Sequence, residues 1–184
     1  DLVAYADMAN SRELLTTFSD RIGRYRNPIK IGGYKIFLDG SPQGRTAWMR
    51  TPYKGGGDYK GYPTMTDEAV YTAIRTAAKE RRQILAHCNG DAASDQYIRM
   101  CRRVEEEGYP LKSIRPVLIH GQLLGLDQLE AVKEIPLLPS FFVAHVYHWG
   151  DTHIRNFGKE RPDFISRAGS AGRKGIRYTF HQDS

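Results

Sequence analysis

Three apolar runs in this 184-residue chain end on side chains able to hold a metal or move a proton. Ile84-Leu85-Ala86 runs into His87, Val117-Leu118-Ile119 into His120, and Tyr178-Thr179-Phe180 into His181-Gln182-Asp183. Neutral imidazole nitrogen and carboxylate oxygen are ligand types that zinc and similar divalent ions accept. A single histidine after an apolar run is more often a hydrogen-bonded loop residue. Three run ends that each deliver a metal-competent group weigh against that plainer reading. His87 and His120 stand 33 positions apart, which suits one strand–helix unit followed by the next strand.

The elements that must carry these groups follow from pattern. Tyr34–Leu38, 84–87, 116–120, 137–143 and 176–181 read as strands, with Pro139 pushing the fourth towards an edge or a bulge. Between them, 66–82, 92–107 and 127–133 read as helices. Thr66 caps the first of these, and Ala69, Val70, Ile74 and Ala77 form its apolar stripe. An earlier helix is expected over 10–24 with Ser11 as its cap, and 144–175 reads as irregular. Alternating strands and helices make an α/β fold with a mostly parallel sheet, whose strand C-termini form the functional rim. A doubly wound domain and a (β/α)8 barrel share this pattern; five strands are too few to close an eight-stranded barrel, and the abrupt ends favour a fragment over a complete small domain. Ser41–Thr64 is a long glycine-rich connection, a length that usually signals function.

Composition excludes other classes. The balance of 40% hydrophobic and 26% charged residues is that of a folded domain. Cys88 and Cys101 are too few for a disulfide scaffold, and Cys88 reads as a small buried hydrophobe. The net charge of +6 is spread among acids, with neither a basic stripe nor a nucleic-acid module. No apolar run is long enough to span a membrane. The first residues do not resemble a signal peptide and read as a cut end, so the expected setting is cytoplasmic. His153 reads as a surface residue, and Asp39 and Asp91, beside glycines at strand ends, read as turn caps.

Several motifs, in order along the chain, resemble the amidohydrolase superfamily, in particular its amidohydrolase-3 branch with the N-substituted formamide deformylases. They are Lys35-Ile36-Phe37-Leu38-Asp39-Gly40-Ser41-Pro42-Gln43-Gly44-Arg45-Thr46-Ala47 followed by Pro52-Tyr53, then His87-Cys88-Asn89-Gly90-Asp91. Arg115-Pro116-Val117-Leu118-Ile119-His120-Gly121-Gln122 follows, then Ser140-Phe141-Phe142 with His145 and His148-Trp149-Gly150-Asp151, and finally Thr179-Phe180-His181-Gln182-Asp183-Ser184. The resemblance implies a partial (β/α)8 TIM barrel holding strands four to eight, with residues 1–184 a fragment of a metal-dependent hydrolase domain. The family's His-x-His pair of strand one has no counterpart here and is expected upstream.

What the resemblance implies chemically is hydrolysis of an amide-type C–N bond by a metal-activated hydroxide. The cofactor is one or two divalent ions, zinc foremost. Lys35, as a bridging carbamate, with His87, His120 and Asp183 would be the metal ligands, and Asp183 the general base as well. His145 and His148, placed on the loop after strand seven, would meet substrate, as would Arg45 and Tyr53 on the glycine-rich loop. Each of these four also has a plain reading as a loop-packing or solvent residue. The expected partner is a small amide-like molecule, with homo-oligomerisation left open. The alternatives are another reaction of the superfamily, such as cyclic-amide or ester hydrolysis or deamination, or a non-catalytic fragment lacking the first-strand ligands.

Overall fold

The computed structural model describes residues 1–159 and 165–183. Six strands, Leu2–Asp7 (β1), Ile29–Phe37 (β2), Gln83–Cys88 (β3), Val117–His120 (β4), Leu138–Phe141 (β5) and Thr179–Phe180 (β6), form one sheet in chain order. Every neighbouring pair is parallel. The helices are Ser11–Thr17 (α1), Asp67–Lys79 (α2), Asp91–Glu106 (α3), Leu126–Lys133 (α4), Ala144–Phe157 (α5) and Ala168–Arg173 (α6). Among the described residues the outer strands do not meet, so the sheet is an open arc of βα units, consistent with an incomplete barrel. No described helix is long and apolar enough to cross a membrane.

Six strands replace the five expected, which corrects the placement of the chain on strands four to eight alone. The addition is β1, whose Leu-Val-Ala-Tyr-Ala run buries only Ala6 and lacks a clean alternation. Its identity comes from pairing with β2, Leu2 to Ile29 through Asp7 to Lys35. β2 itself starts five residues before the expected Tyr34, across Gly32-Gly33, a pair that propensity disfavours in a strand. A side chain at Gly33 would put its Cβ 1.9 Å from the Gln83 carbonyl oxygen, so the close approach of β3 demands glycine.

The expected helix over 10–24 is broken. Short 3-10 turns at Met8–Asn10 and Ser19–Arg21 flank α1, and Asp7 rather than Ser11 caps the start, accepting from the Ala9 amide at 3.2 Å. No residue of α1 is buried, so no packed face extends it. α2 meets expectation: Thr66 accepts from the Ala69 amide, and Val70, Ile74 and Ala77 are buried, with Ala69 turned out to solvent.

The sheet has two unlike faces. Tyr34, Ile36, Leu38, Ile84, Ala86, Cys88 and Leu118 pack with α2, α3 and α4 into the main core. The opposite face carries Lys35, Phe37, Leu85 and His87, all less buried. Pro139 lies in an interior strand, between β4 and β6 and in unbroken register with β4, a correction to the expected edge or bulge. Leu138 turns its N–H to Pro116 of the β4 side, so Pro139 turns its N–H-less nitrogen to the other side, where β6 does not yet run: pairing with β6 begins at Ser140.

Residues 38–66 form a folded loop with its own apolar centre of Ala47, Met49 and Tyr53 against Leu123. Backbone bonds Thr64 to Leu38, Met49 to Lys60 and Tyr53 to Tyr59 close it on itself. The stretch expected to be irregular holds α5 and α6, with 160–164 outside the described residues.

Candidate functional site

Strand ends bring four of the predicted groups into one neighbourhood. His87 ends the exposed side of β3, and Lys35 stands on the same face of the adjoining β2. His120 arrives by a different route. Its register partner is Cys88, and strand alternation would send it into the core beside Cys88 and Leu118. The backbone at His120 instead has φ +77°, a conformation disfavoured for a residue with a Cβ, and the next residue, Gly121, has φ +51°. The imidazole meets His87 as a result, Nε2 to Nδ1 at 3.0 Å, with the rings at 76°.

A hydrogen-bond chain runs through this cluster, and one end of it fixes the direction. The Gly40 carbonyl can only accept, so the His87 Nε2 that lies 2.9 Å from it carries the proton. The Asn89 amide donates to the same carbonyl at 2.8 Å, and the two donors sit side by side at 3.1 Å. His87 Nδ1 is then a bare acceptor for His120 Nε2–H. His120 Nδ1 in turn accepts from His181 Nε2–H at 3.1 Å, and His181 Nδ1 from the Ser140 hydroxyl at 2.9 Å. His181, passed over in the sequence in favour of Asp183, is thus the third imidazole of the site. Its place directly after the last strand run was the available signal.

Burial keeps these rings neutral, the form that binds metals. It pushes His120 from 6.5 down to about 2, helped by the charge repulsion of His87 and His181. His87 and His181 are lowered by the same cause. Burial also lowers the Lys35 ammonium, against opposing pulls from Cys88 and Asp183. The exposed Asp183 favours the charged forms of Lys35, His87, His145 and His181, opposing the effect of their burial.

Asp39 holds the floor of the site. Its buried carboxylate accepts from the amides of Trp48, Asn89 and Gly90 at 2.7–3.0 Å and lies 3.5 Å from His87 Nε2. Burial raises it to about 7 despite those three donors. It does cap a turn, and it also ties the long loop to the end of β3. Asp91 accepts from the Arg50 amide at 2.7 Å, and the Arg50 guanidinium grips Asp95 and Asp127 at the starts of α3 and α4.

The remaining candidates lie apart from the cluster or on its border. His145 and His148 are on helix α5 rather than a loop. His145 is buried, edge-on to Phe142 at 4.6 Å, and Phe142 also neighbours His120 and His181. His148 is exposed against Tyr147. Tyr53 donates to the Ala47 carbonyl at 2.8 Å, and Arg45 donates to the Lys54 carbonyl while lying over the Tyr53 ring, so both brace the loop. His153, expected at the surface, is fully buried between His145 and Phe157. A cavity of about 1030 Å³ between α1 and α2, lined by Leu15, Ile36 and Met65, contains none of the histidines.

The donor set can be tested against a metal. Two nitrogens bound to one tetrahedral ion at ~2.0–2.1 Å stand roughly 3.3 Å apart, close to the 3.0 Å between His87 Nδ1 and His120 Nε2. Both are neutral, and the Gly40 carbonyl orients the first as ligating histidines are oriented elsewhere. The pair fits. Freeing His120 Nε2 as a ligand moves its proton to Nδ1 and reverses the hydrogen bonds to His181 and Ser140. Among the described residues, however, no group of three or more His, Cys, Asp or Glu is arranged to hold a metal ion.

Comparison with known proteins identifies the family and the fold. The family model described as the amidohydrolase family matches residues 1–184. The Bacillus subtilis (strain 168) protein named "Putative amidohydrolase YtcJ" is 31% identical over 137 residues, 72% of this chain and 24% of that protein. Crystal structures of uncharacterized metal-dependent hydrolases from Pyrococcus furiosus and Pyrococcus horikoshii OT3 superpose with TM-scores of 0.76 and 0.75 at 26% and 27% identity. Each covers 94% of this chain, which spans 35% and 34% of theirs. This chain therefore corresponds to about a quarter to a third of the relatives it matches. With its metal-competent imidazoles at the strand ends of an open parallel sheet, the chain belongs to the amidohydrolase family.

Proposed function

We propose that this chain contributes part of the metal centre of a hydrolase acting on an amide-type C–N bond of a small molecule, and that the 184 residues by themselves are catalytically silent. The observation that carries the first half is the pair of facing imidazole nitrogens, the bare His87 Nδ1 and the His120 Nε2 that a tautomer shift frees, 3.0 Å apart. The second half is supported by the lack of a three-ligand group among the described residues and by the share of the relatives' length that the chain spans.

His87 and His120 would hold one divalent ion, zinc by donor type. Lys35, with its ammonium form disfavoured by burial, is suited to react with CO2 as a free amine, losing one proton and becoming a carbamate that offers anionic oxygens. Asp183 would add a carboxylate. A divalent ion held there supplies Lewis-acid polarisation of the substrate carbonyl and a more acidic water. Asp183 would take the proton from the attacking water and return it to the leaving nitrogen, because a carboxylate has two oxygens with separate lone pairs. Cyclic-amide or ester hydrolysis and deamination use the same groups, and rim residues select among them.

The test measures bound metal and turnover of a panel of N-substituted formamides and anilides, on the full-length protein and on the 184-residue chain. We expect metal and turnover in the former and no turnover in the latter. Asp183→Asn should keep most of its metal and lose ~10²–10⁴-fold in turnover. Undiminished turnover at full loading removes the general base, and full metal content after replacing both His87 and His120 by Ala removes the ligand pair.

A further inference from the structure

An aromatic ladder leads from the long loop to the histidine cluster. Tyr59, Tyr53, Phe157, His153 and His145 stack in sequence at 5.5–5.9 Å between centroids, and Phe142 joins the last to His181. The two histidines of the ladder stand eight residues apart on α5, ~12 Å of helix rise. Their rings nevertheless lean together, nearly parallel at 13°, with His145 Nδ1 at 3.4 Å from His153 Nε2. The other nitrogen of His153, Nδ1, is shut off from solvent and has no hydrogen-bond partner among the described residues.

That orphaned nitrogen decides where the protons are. A proton on His145 Nδ1, in either its neutral or its cationic form, has to be accepted by a bare Nε2 of His153. The proton of His153 would then sit on Nδ1 as a buried donor with no acceptor, an arrangement folded proteins avoid more strictly than an idle lone pair. The opposite arrangement leaves only a lone pair unused: His153 Nε2–H donates to His145 Nδ1, and His145 carries its own proton on Nε2. We propose that His153 is a positioning residue that fixes His145 as the neutral Nε2–H tautomer, so that His145 acts as a hydrogen-bond donor to a substrate oxygen and not as a proton acceptor. The substrate oxygen in this statement rests on the hydrolase reading; the tautomer does not.

The experiment is nitrogen NMR of the full-length protein labelled with ¹⁵N-histidine, with His145→Ala to assign the signals. In the wild type, His145 should show a pyridine-type Nδ1 and a pyrrole-type Nε2. His153→Gln, whose amide N–H can replace the donor, should preserve that pattern. His153→Phe, which keeps a ring on Phe157 and loses the donor, should shift His145 towards the other tautomer or an average of the two. A pyrrole-type Nδ1 at His145 in the wild type overturns the proposal. So does an unchanged pattern in a folded His153→Phe protein. Should that variant fail to fold, the wild-type and Gln spectra still decide, and because no turnover is read, failure of the tautomer is distinct from failure of the hydrolase reading.

Discussion

His120 concentrates the local conflict of this molecule: a β-strand residue with a positive φ, a buried ring and a histidine on either side. Such cost persists where the surroundings over-determine it. The neighbouring rings share one consequence, because each is buried neutral and must be charged when the chain unfolds in acid. His120 is lowered from 6.5 to about 2 and His153 to about 4, with His87, His145 and His181 lowered as well. Below pH 6.5 the unfolded chain therefore binds more protons at these rings than the folded one, an excess that the raised Asp39 carboxyl, protonated only in the fold, reduces by up to one. Stability is complete above that value and falls with pH, by ~1.4 kcal/mol per unit for each ring that stays neutral in the fold. Urea unfolding between pH 7 and pH 5 should show a steadily falling midpoint. His120→Asn should flatten the slope by about one proton, and an unaltered slope in a folded variant would mean that His120 is not buried neutral.

At the level of elements, the loop 38–66 behaves as a clamp across the ends of β2, β3 and β4. Asp39 ties it to Asn89 and Gly90, Arg50 to α3 and α4, and Asn156 of α5 donates to the Pro42 carbonyl at 2.9 Å while the Lys54 amide reaches the Asn156 carbonyl at 2.8 Å. Gly90 is where the clamp comes closest. A Cβ there would fall 1.8 Å from the Trp48 carbonyl oxygen, backbone that has no room to give. Gly90→Ala should cost about 1–3 kcal/mol, the scale of overpacking. Its distinguishing sign is faster amide exchange at Met49 and Tyr53 with α2 exchange unchanged. Equal loosening of α2 and the loop would show that Gly90 serves the fold as a whole rather than the clamp.

For the molecule as a whole, the open arc sets the behaviour. β1 and β6 each have one strand neighbour among the described residues, and Leu2 and Phe180 are 59% and 58% exposed. Unpaired edges with apolar side chains invite another chain. The isolated 184-residue chain should self-associate at concentrations on the order of 10 μM, the range in which exposed edges drive aggregation. Val3→Lys together with Phe180→Lys should reduce it, as read by sedimentation velocity. A wild-type chain that remains monomeric well above that concentration would show that its edges are covered in some other way.

Much of the arrangement was legible in the residues themselves. Apolar runs stopping at His87 and His120 marked strand ends, Thr66 with the acids after it marked the start of α2, and Cys88 alternated into the core. These are short-range signals, because burial on one face imposes a period of two or 3.6 on neighbours in the chain. Other features came only with tertiary contact. β1 is a strand because β2 supplies its hydrogen bonds, and β2 tolerates two glycines because β3 passes too close for a side chain. His145 and His153 belong to a helix whose mixed polar composition gives no clean stripe, and His153 is buried where its ring lies between His145 and Phe157. His120 faces His87 because its own backbone, like that of Gly121 after it, turns left-handed, which no periodicity can report. Side-chain chemistry and strand ends are written locally; which groups meet, and in which tautomer, depends on distances between residues far apart in the chain.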